Sequence, residues 1–281
     1  MDAVQLATFQ AVVETGSFEA AARQLHVTPS AVSQRVKALE SSVGQVLVRR
    51  AKPCVATTAG EALVRFAGQV ALLEREALDQ ARGGTRVSIV VNADSLHTWF
   101  MPALARVPGP RYELHTDDQD YTADLLRSGT AMAAVTSQHV AVQGCRLEML
   151  GAMRYLPVGL PAFAADLPNA PMVVYNRKDR LQHRFLAGRL KDPPAHKDPP
   201  VHYVPAASAY VDAIRLGMGW GMVPEQIALP DIAEGRYVRL VEDASMDVPL
   251  YWQYWKIESS VLGELTAAVK EAFSRWRAEP C

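Results

Sequence analysis

Ser30, Ser33, Gln34 and Lys37 stand at helical spacing. At 100° per residue their hydroxyls, amide and ammonium project to one side of a helix, while Val32, Val36 and Leu39 project to the other. One face packs and the other can read. Hydroxyls and an ammonium suit phosphate oxygens and base edges, and a glutamine can bind adenine through two hydrogen bonds. A polar outer face is also the ordinary exterior of an amphipathic helix, so the pattern alone leaves both readings open. Two neighbouring features favour nucleic acid. Between residues 18 and 65 seven basic side chains stand against three acidic ones, a local charge of 7 − 3 = +4 inside a chain that totals −1. Arg49, Arg50 and Lys52 crowd the middle of segment 46–56, which reads as two short strands around a basic turn. Such a wing can lie along the backbone and push a cation into the minor groove, where the potential is most negative.

A second set of residues suits a small ligand. Asp94-Ser95 follows one apolar β-rich run, and Asp117-Asp118-Gln119-Asp120 follows the next. Carboxylates there can pair with an ammonium or guanidinium, while helix N–H groups and hydroxyls such as Ser95 and Thr136 hold the ligand's own carboxylate. The same aspartates also suit helix N-caps on a solvated acidic loop. No catalytic motif competes. The chain lacks a Gly-x-Ser-x-Gly elbow, a phosphate loop ending in Gly-Lys-Ser/Thr, His-Glu-x-x-His and Cys-x-x-Cys. No cofactor is implied. The seven histidines show no ligand spacing and no metal site is expected. Cys145 follows Gly144 without a second cysteine or a cluster of cations nearby, which fits an inert thiol better than a redox switch. Gly217-Met218-Gly219-Trp220-Gly221 precedes Pro224 instead of opening a helix, so it reads as a tight helix-to-strand turn.

The elements that must position these residues follow from periodicity. Residues 4–14 carry Leu6, Phe9, Val12 and Val13 at helical spacing, and Gly16 supplies a left-handed cap. Ser17 caps an alanine-rich helix to about Leu25; Thr28 caps a third, with Pro29 at its first position, that ends near Ser42 before Gly44. Thr57-Thr58-Ala59-Gly60 opens a long helix to about Arg82. Its Leu63, Val70 and Ala77, with Phe66 and Leu73, form a coiled-coil seam, and a helix this long needs a partner. From Arg86 onward, strands at 86–91, 112–116 and 131–136 alternate with helices, which predicts a parallel sheet with a ligand at its carboxyl ends. A second unit starts near Gly159, with strands at 172–176, 201–205 and 219–224 and a helix at 206–216. The final helix, 259–276, is expected to return to the first unit. Lys191-Asp192-Pro193-Pro194-Ala195-His196 is followed by Lys197-Asp198-Pro199-Pro200-Val201-His202, a tandem duplication whose prolines make it a loop.

Composition bounds the rest. With 281 residues, 49% apolar, the chain can bury two or three cores. Three distant cysteines do not make a secreted disulfide scaffold, and no run approaches a membrane span. Charged Glu14, Glu19 and Arg23 stand where a signal peptide needs an uncharged run, so a cytoplasmic location is expected.

The stretch from Phe18-Glu19-Ala20-Ala21-Ala22-Arg23-Gln24-Leu25 through Thr28-Pro29-Ser30-Ala31-Val32-Ser33-Gln34-Arg35-Val36-Lys37 to Glu40, with Thr57-Thr58-Ala59-Gly60, resembles the LysR-type transcriptional regulators. The resemblance implies an α+β multidomain chain. Its parts are a winged helix-turn-helix at 1–58, a linker dimerisation helix at 59–84, and a two-subdomain α/β effector-binding domain, similar to periplasmic binding proteins, at 85–281. Subdomain I would take about 85–158 plus 255–281 and subdomain II about 159–254. The resemblance further implies that Pro29, Ser30, Ala31 and Gln34 face bases, Ser33 a phosphate and Lys52 the minor groove. Thr28, Lys37, Arg49 and Arg50 complete the expected DNA-binding set.

Segments 92–100, 118–120, 153–156, 217–225 and 249–253 are similar to the ArgP/LysG-like branch, which regulates lysine and arginine export. That branch implies a basic amino acid as effector, an exporter gene as target, promoter DNA and RNA polymerase as partners, and a dimer or tetramer. The effector set is then Asp94, Ser95, Trp99, Asp118, Asp120, Thr136, Asn176 and Ser208. The chain departs from that pattern at Ala206-Ala207-Ser208-Ala209-Tyr210, where relatives carry a more acidic or glycine-containing segment. The alternative within DNA binding is an effector-independent architectural or replication-associated protein, whose DNA complexes would ignore small ligands.

Overall fold

The computed structural model of the chain describes residues 2–82, 85–116, 119–188 and 199–278, the side chains of 75–82 and 119–122 excepted. The duplicated segment from Lys191 to Asp198, Asp117 and Asp118 lie outside the described residues.

At the N-terminus α1 (Ala3–Thr15) ends at Gly16, whose φ of 67° is the left-handed cap. Next comes α2 (Phe18–Gln24), where Ser17 Oγ accepts from the Ala20 N–H, and Ala21 and Ala22 are buried where a larger residue would hold the helices apart. Thr28 caps α3 (Pro29–Val43) by accepting from the Ala31 N–H. Phe9, Val12, Val32, Val36, Leu39 and Leu47 form one apolar cluster among these helices. The antiparallel pair β1 (Val48–Arg49) and β2 (Val55–Ala56) makes the wing. Its base is fastened by Glu40 on α3, whose carboxylate accepts from the Leu47 and Val48 N–H groups at 2.8 and 3.3 Å.

The Thr57-Thr58-Ala59-Gly60 segment has a mechanical reason. Thr57 Oγ1 donates to the Val46 carbonyl and accepts from the Gly60 N–H. A Cβ at Gly60 would lie 2.1 Å from the Leu47 carbonyl oxygen, so only glycine lets the next helix leave this close to the wing. That helix is α4 (Thr58–Arg82). Its Val64, Ala67 and Leu72 are buried within the chain itself, and Gly68 lies against the Trp255 ring, where a Cβ would come within 2.7 Å.

The remainder forms two α/β units joined by two long strands. In the first, β3 (Arg86–Val91) lies between β4 (Arg111–Thr116) and β5 (Ala133–Thr136), parallel to both. After β3 the chain runs through α5 (Ala93–Ser95), a π-helical turn over Leu96–Phe100 and α6 (Met101–Ala105). After β4 comes α7 (Gln119–Arg127). The second unit repeats the plan: β7 (Met172–Val174) lies parallel to β8 (Val201–Tyr203) on one side and bridges in parallel to Trp220 on the other. It also holds α8 (Leu181–Ala187), α9 (Ala207–Arg215), β9 (Gly221–Pro224), α10 (Glu225–Ala233) and β10 (Val238–Arg239).

The joining strands are β6 (Cys145–Gly159) and β11 (Met246–Trp255). They pair antiparallel from Met246↔Tyr155 to Trp255↔Cys145, with a register shift at Leu250/Tyr251. In the first unit β11 pairs with β5, and in the second β6 pairs with β9 and β10. The expected parallel pairing of the strands at 86–91, 112–116 and 131–136 is present, and the antiparallel pair β6–β11 crosses between the two units. The last helix, α11 (Ser260–Ala278), returns to the first unit, where Phe273 packs edge-on to Trp99 at 5.0 Å and Trp276 lies beside it.

Candidate nucleic-acid interface and effector cleft

On the DNA-binding unit, Pro29, Ser30, Gln34 and Lys37 are exposed on α3 opposite buried Val32, Val36 and Leu39, while Ala31 and Ser33 are half-buried at the edge of that face. Thr28 is exposed, but its hydroxyl is engaged as the helix cap and meets Ser30 Oγ at 3.0 Å. Its first role is thus to aim the reading helix. Arg49, Arg50 and Lys52 are exposed on the wing. Arg50 stacks its guanidinium over the Phe18 ring at 4.9 Å, which ties the wing to α2. A backbone hydrogen bond from Cys54 N–H to the Gly16 carbonyl, 2.7 Å, docks the other side. Wing and reading helix are held as one surface, with three cations on one and two hydroxyls, an amide and an ammonium on the other.

Along α4 the seam residues behave differently from their neighbours. Phe66 and Leu73 are 42% and 41% exposed, and Leu63 and Val70 are half-buried. The helix spends Val64, Ala67 and Leu72 on its own chain, rests Leu63 partly against the N-terminal cluster, and leaves Phe66 and Leu73 open. The Ala77 side chain lies outside the described residues.

Between the two α/β units lies a cleft of about 440 Å³, in the size range of small-molecule sites. It sits at the carboxyl ends of β3, β4, β5 and β7. Asp94, Thr136 and Asn176 line it. Ser95 is fully buried one residue beyond, its hydroxyl without a hydrogen-bond partner among the described residues, and Ser208 is exposed on α9 next to the lining residue Ala207. Trp99 is not on the cleft. Its indole is 1% exposed in the aromatic core with Phe100 and Phe273, and the wide π-helical turn carries it inward. Its inclusion in the effector set is corrected accordingly. Asp120 lies on α7 without a described side chain.

Three residues absent from the expected set matter in this cleft. Tyr155, on β6, donates its hydroxyl to Asp94 Oδ2 at 2.6 Å. Asp179, from the second unit, accepts from the Tyr175 and Leu181 N–H groups and raises the pKa of Asp94 by its charge. Burial is the larger cause and pushes the Asp94 carboxyl above the usual carboxylate range, with the Tyr155 hydroxyl opposing it. Tyr210, on α9, accepts from Gln182 Nε2 at 2.8 Å and from the Met222 N–H at 2.9 Å. A Cβ at Gly221 would meet its oxygen at 2.3 Å, which explains one glycine of the 217–221 turn. One signal could have found Asp179: Asn92-Ala93-Asp94 follows the first strand of one unit, and Asn176-Arg177-Lys178-Asp179 follows the first strand of the other.

Cys145 is half-buried, and burial pushes its thiol up to about 11, away from a reactive thiolate. Among the described residues no group of three or more His, Cys, Asp or Glu could hold a metal ion, and no helix is long and apolar enough to cross a membrane.

Comparison with known proteins places this geometry. The model for the bacterial regulatory helix-turn-helix protein, lysR family, matches residues 4–61, and the LysR substrate binding domain matches residues 80–274. The HTH-type transcriptional regulator LysG of Mycobacterium tuberculosis is 46% identical, covering 98% of this chain and 94% of its own. The lysine export transcriptional regulatory protein LysG of Corynebacterium efficiens is 42% identical over 97% and 98%. The crystal structure of ArgP from M. tuberculosis superposes with a TM-score of 0.88 at 46% identity, covering 98% of both chains. Full-length LysG of Corynebacterium glutamicum with bound effector Arg gives a TM-score of 0.85 at 39% identity, covering 98% of this chain and 99% of that one.

Proposed function

Because this chain belongs to the LysR family of bacterial helix-turn-helix transcriptional regulators, we propose that it senses lysine or arginine and controls an amino-acid exporter gene. It acts in the cytoplasm as a dimer or tetramer on double-stranded promoter DNA, in contact with RNA polymerase. Pro29, Ser30, Ala31 and Gln34 face bases, Thr28 aims them, Ser33, Lys37, Arg49 and Arg50 meet the backbone, and Lys52 enters the minor groove.

The observation that carries the effector reading is Asp94: a carboxylate on the wall of an amino-acid-sized cleft, hydrogen-bonded by Tyr155 and facing the field of Asp179 from the opposite unit. Two carboxylates from two units repel across the cleft. A cationic side chain between them replaces repulsion by two attractions, so it favours the arrangement in which the units approach. Val248 and Leu250 line the cleft, and Trp255 at the end of the same strand meets α4 at Gly68. Closure and the linker helix therefore share β11, which gives the ligand a route to the DNA-binding units. The relatives named above as LysG, one of them carrying bound Arg, support the same effector class.

The test is calorimetric binding of arginine against citrulline and of lysine against norleucine, each pair similar in shape and different in charge. Arginine and lysine should bind and their neutral counterparts should compete poorly. Equal affinity within each pair would overturn the cationic-effector reading.

A further inference from the structure

Arg184 on α8 lines the same cleft, and among the described residues no carboxylate is paired with it. Its guanidinium Nη2 rests 3.7 Å from Met246 Sδ, a weak acceptor that satisfies little of its charge. Arg154 is matched with Asp247, Arg215 with Asp212 and Asp231, and Arg236 with Asp231. Arg180, also on the cleft, is like Arg184 in having no carboxylate paired with it among the described residues; of the two, only Arg184 reaches Met246 on the joining strand.

The position of Arg184 is fixed by the strand it touches. Met246 is the register partner of Tyr155, the residue that holds Asp94. Side chains alternate along a strand, so Met246 shares its face of β11 with Val248 and Leu250, both on the cleft wall. A cation from the second unit thus stands over the strand pair that carries the Asp94 partner. The cleft offers a negative group from one unit and an unmatched guanidinium from the other.

We propose that Arg184 binds the effector's α-carboxylate, so that the site takes amino acids carrying both a free carboxylate and a cationic side chain and rejects the corresponding decarboxylated amines. The proposal rests on the cationic-effector reading and adds its second anchor. A guanidinium matches a carboxylate through two parallel hydrogen bonds, which fixes the orientation of the ligand as well as its charge. A diamine satisfies Asp94 and leaves Arg184 unmatched; a neutral amino acid does the reverse. Neither bridges the units.

The experiment crosses a change in the ligand with a change in the protein, on the full-length chain by calorimetry. Arginine is compared with agmatine, which is arginine without its carboxylate, on wild type, Arg184→Gln and Arg184→Lys. In wild type agmatine should bind about 10- to 100-fold more weakly than arginine. Arg184→Gln should weaken arginine by a similar factor and leave agmatine nearly unchanged, and Arg184→Lys should restore part of the arginine affinity. Arginine binding undiminished in Arg184→Gln, or arginine and agmatine weakened equally by it, overturns the proposal. Loss only in Arg180→Gln, one helical turn earlier, also overturns it by moving the anchor. Failure of arginine and lysine to bind wild type sinks the underlying effector reading as well, a result distinct from all of these.

Discussion

The Tyr155 hydroxyl donates to Asp94 Oδ2 at 2.6 Å, joining a strand that crosses between the two α/β units to the carboxyl end of a strand of the first unit. The pair couples ligand charge to cleft geometry. Burial raises the Asp94 pKa, Asp179 adds to the rise, and the phenol holds it back. A cationic ligand requires the ionised form, so its binding displaces the proton that burial favours.

Effector affinity should therefore rise with pH until Asp94 in the ligand-free protein has ionised, and then level off. The levelling-off lies above the ordinary value of 3.8 because the shift in the ligand-free protein is upward. Calorimetry in buffers of different ionisation heats should register proton release on binding at the acidic end. Tyr155→Phe removes the opposing hydrogen bond, so the same rise should move to higher pH. A rise unmoved by this variant would count against the coupling.

Stability of the empty protein should run the other way. Between 3.8 and the raised native value, the unfolded chain has lost a proton that the native chain keeps, so stability falls as pH climbs through that window. Above it the cost is constant. Asp94→Asn removes this cost, and its amide oxygen can still accept from Tyr155. Urea unfolding at neutral pH should find the ligand-free variant at least as stable as wild type.

Gln34 and Lys52 should fail differently on DNA. Gln34→Ala should relax base preference at its contacted step by about 1–3 kcal/mol, while Lys52→Ala should weaken all duplexes and reduce the salt slope by about one unit. Titration of duplexes selected from a random pool against unselected duplex checks both. Equal losses of one kind in the two variants would contradict the division of roles.

Assembly should depend on the open stripe of α4. Val70 is half-buried between exposed Phe66 and Leu73, so Val70→Glu places an unpaired charge in the seam between two such helices. Light scattering should then find mostly monomers, with a parallel loss of DNA affinity. A full-sized oligomer would remove the helix from the interface.

The close contact of α4 with the sensor offers a separate handle. Gly68→Val would drive a side chain into Trp255, whose Cη2 would lie 2.7 Å from the new Cβ. Overpacking of this kind costs about 1–3 kcal/mol, or shifts the helix off the sensor. Effector binding should persist in this variant while the ligand's effect on DNA affinity shrinks, measured by fluorescence anisotropy with and without arginine.

Legibility in the sequence followed locality. Ser17, Thr28, Gly16 and Gly44 announce their helix ends because capping is chemistry between neighbours, and the structure has each cap where the residue types place it. The long strands β6 and β11 were not legible as a crossing pair, since their pairing joins Cys145 to Trp255 across more than a hundred residues. Trp99 entered the expected set through the resemblance of segment 92–100, while its indole packs in the aromatic core with Phe100 and Phe273. Asp179 is foreshadowed only by the Asn-to-Asp pattern shared after the first strand of each unit, and Arg184 carries an ordinary helix signature; the approach of the second unit brings both to the cleft that Asp94 lines.

The central claim is that Asp94 is the partner of a cationic effector in a DNA-binding regulator. Equilibrium binding of radiolabelled arginine and lysine to wild type and to Asp94→Asn, with Asp118→Asn and Asp120→Asn beside them, tests it most directly. Asp94→Asn should lose about 2–5 kcal/mol of binding free energy, much of it from leaving the ligand's charge unpaired, while ligand-free DNA affinity stays almost intact. Undiminished binding in Asp94→Asn, or no binding of either amino acid to wild type, would contradict it.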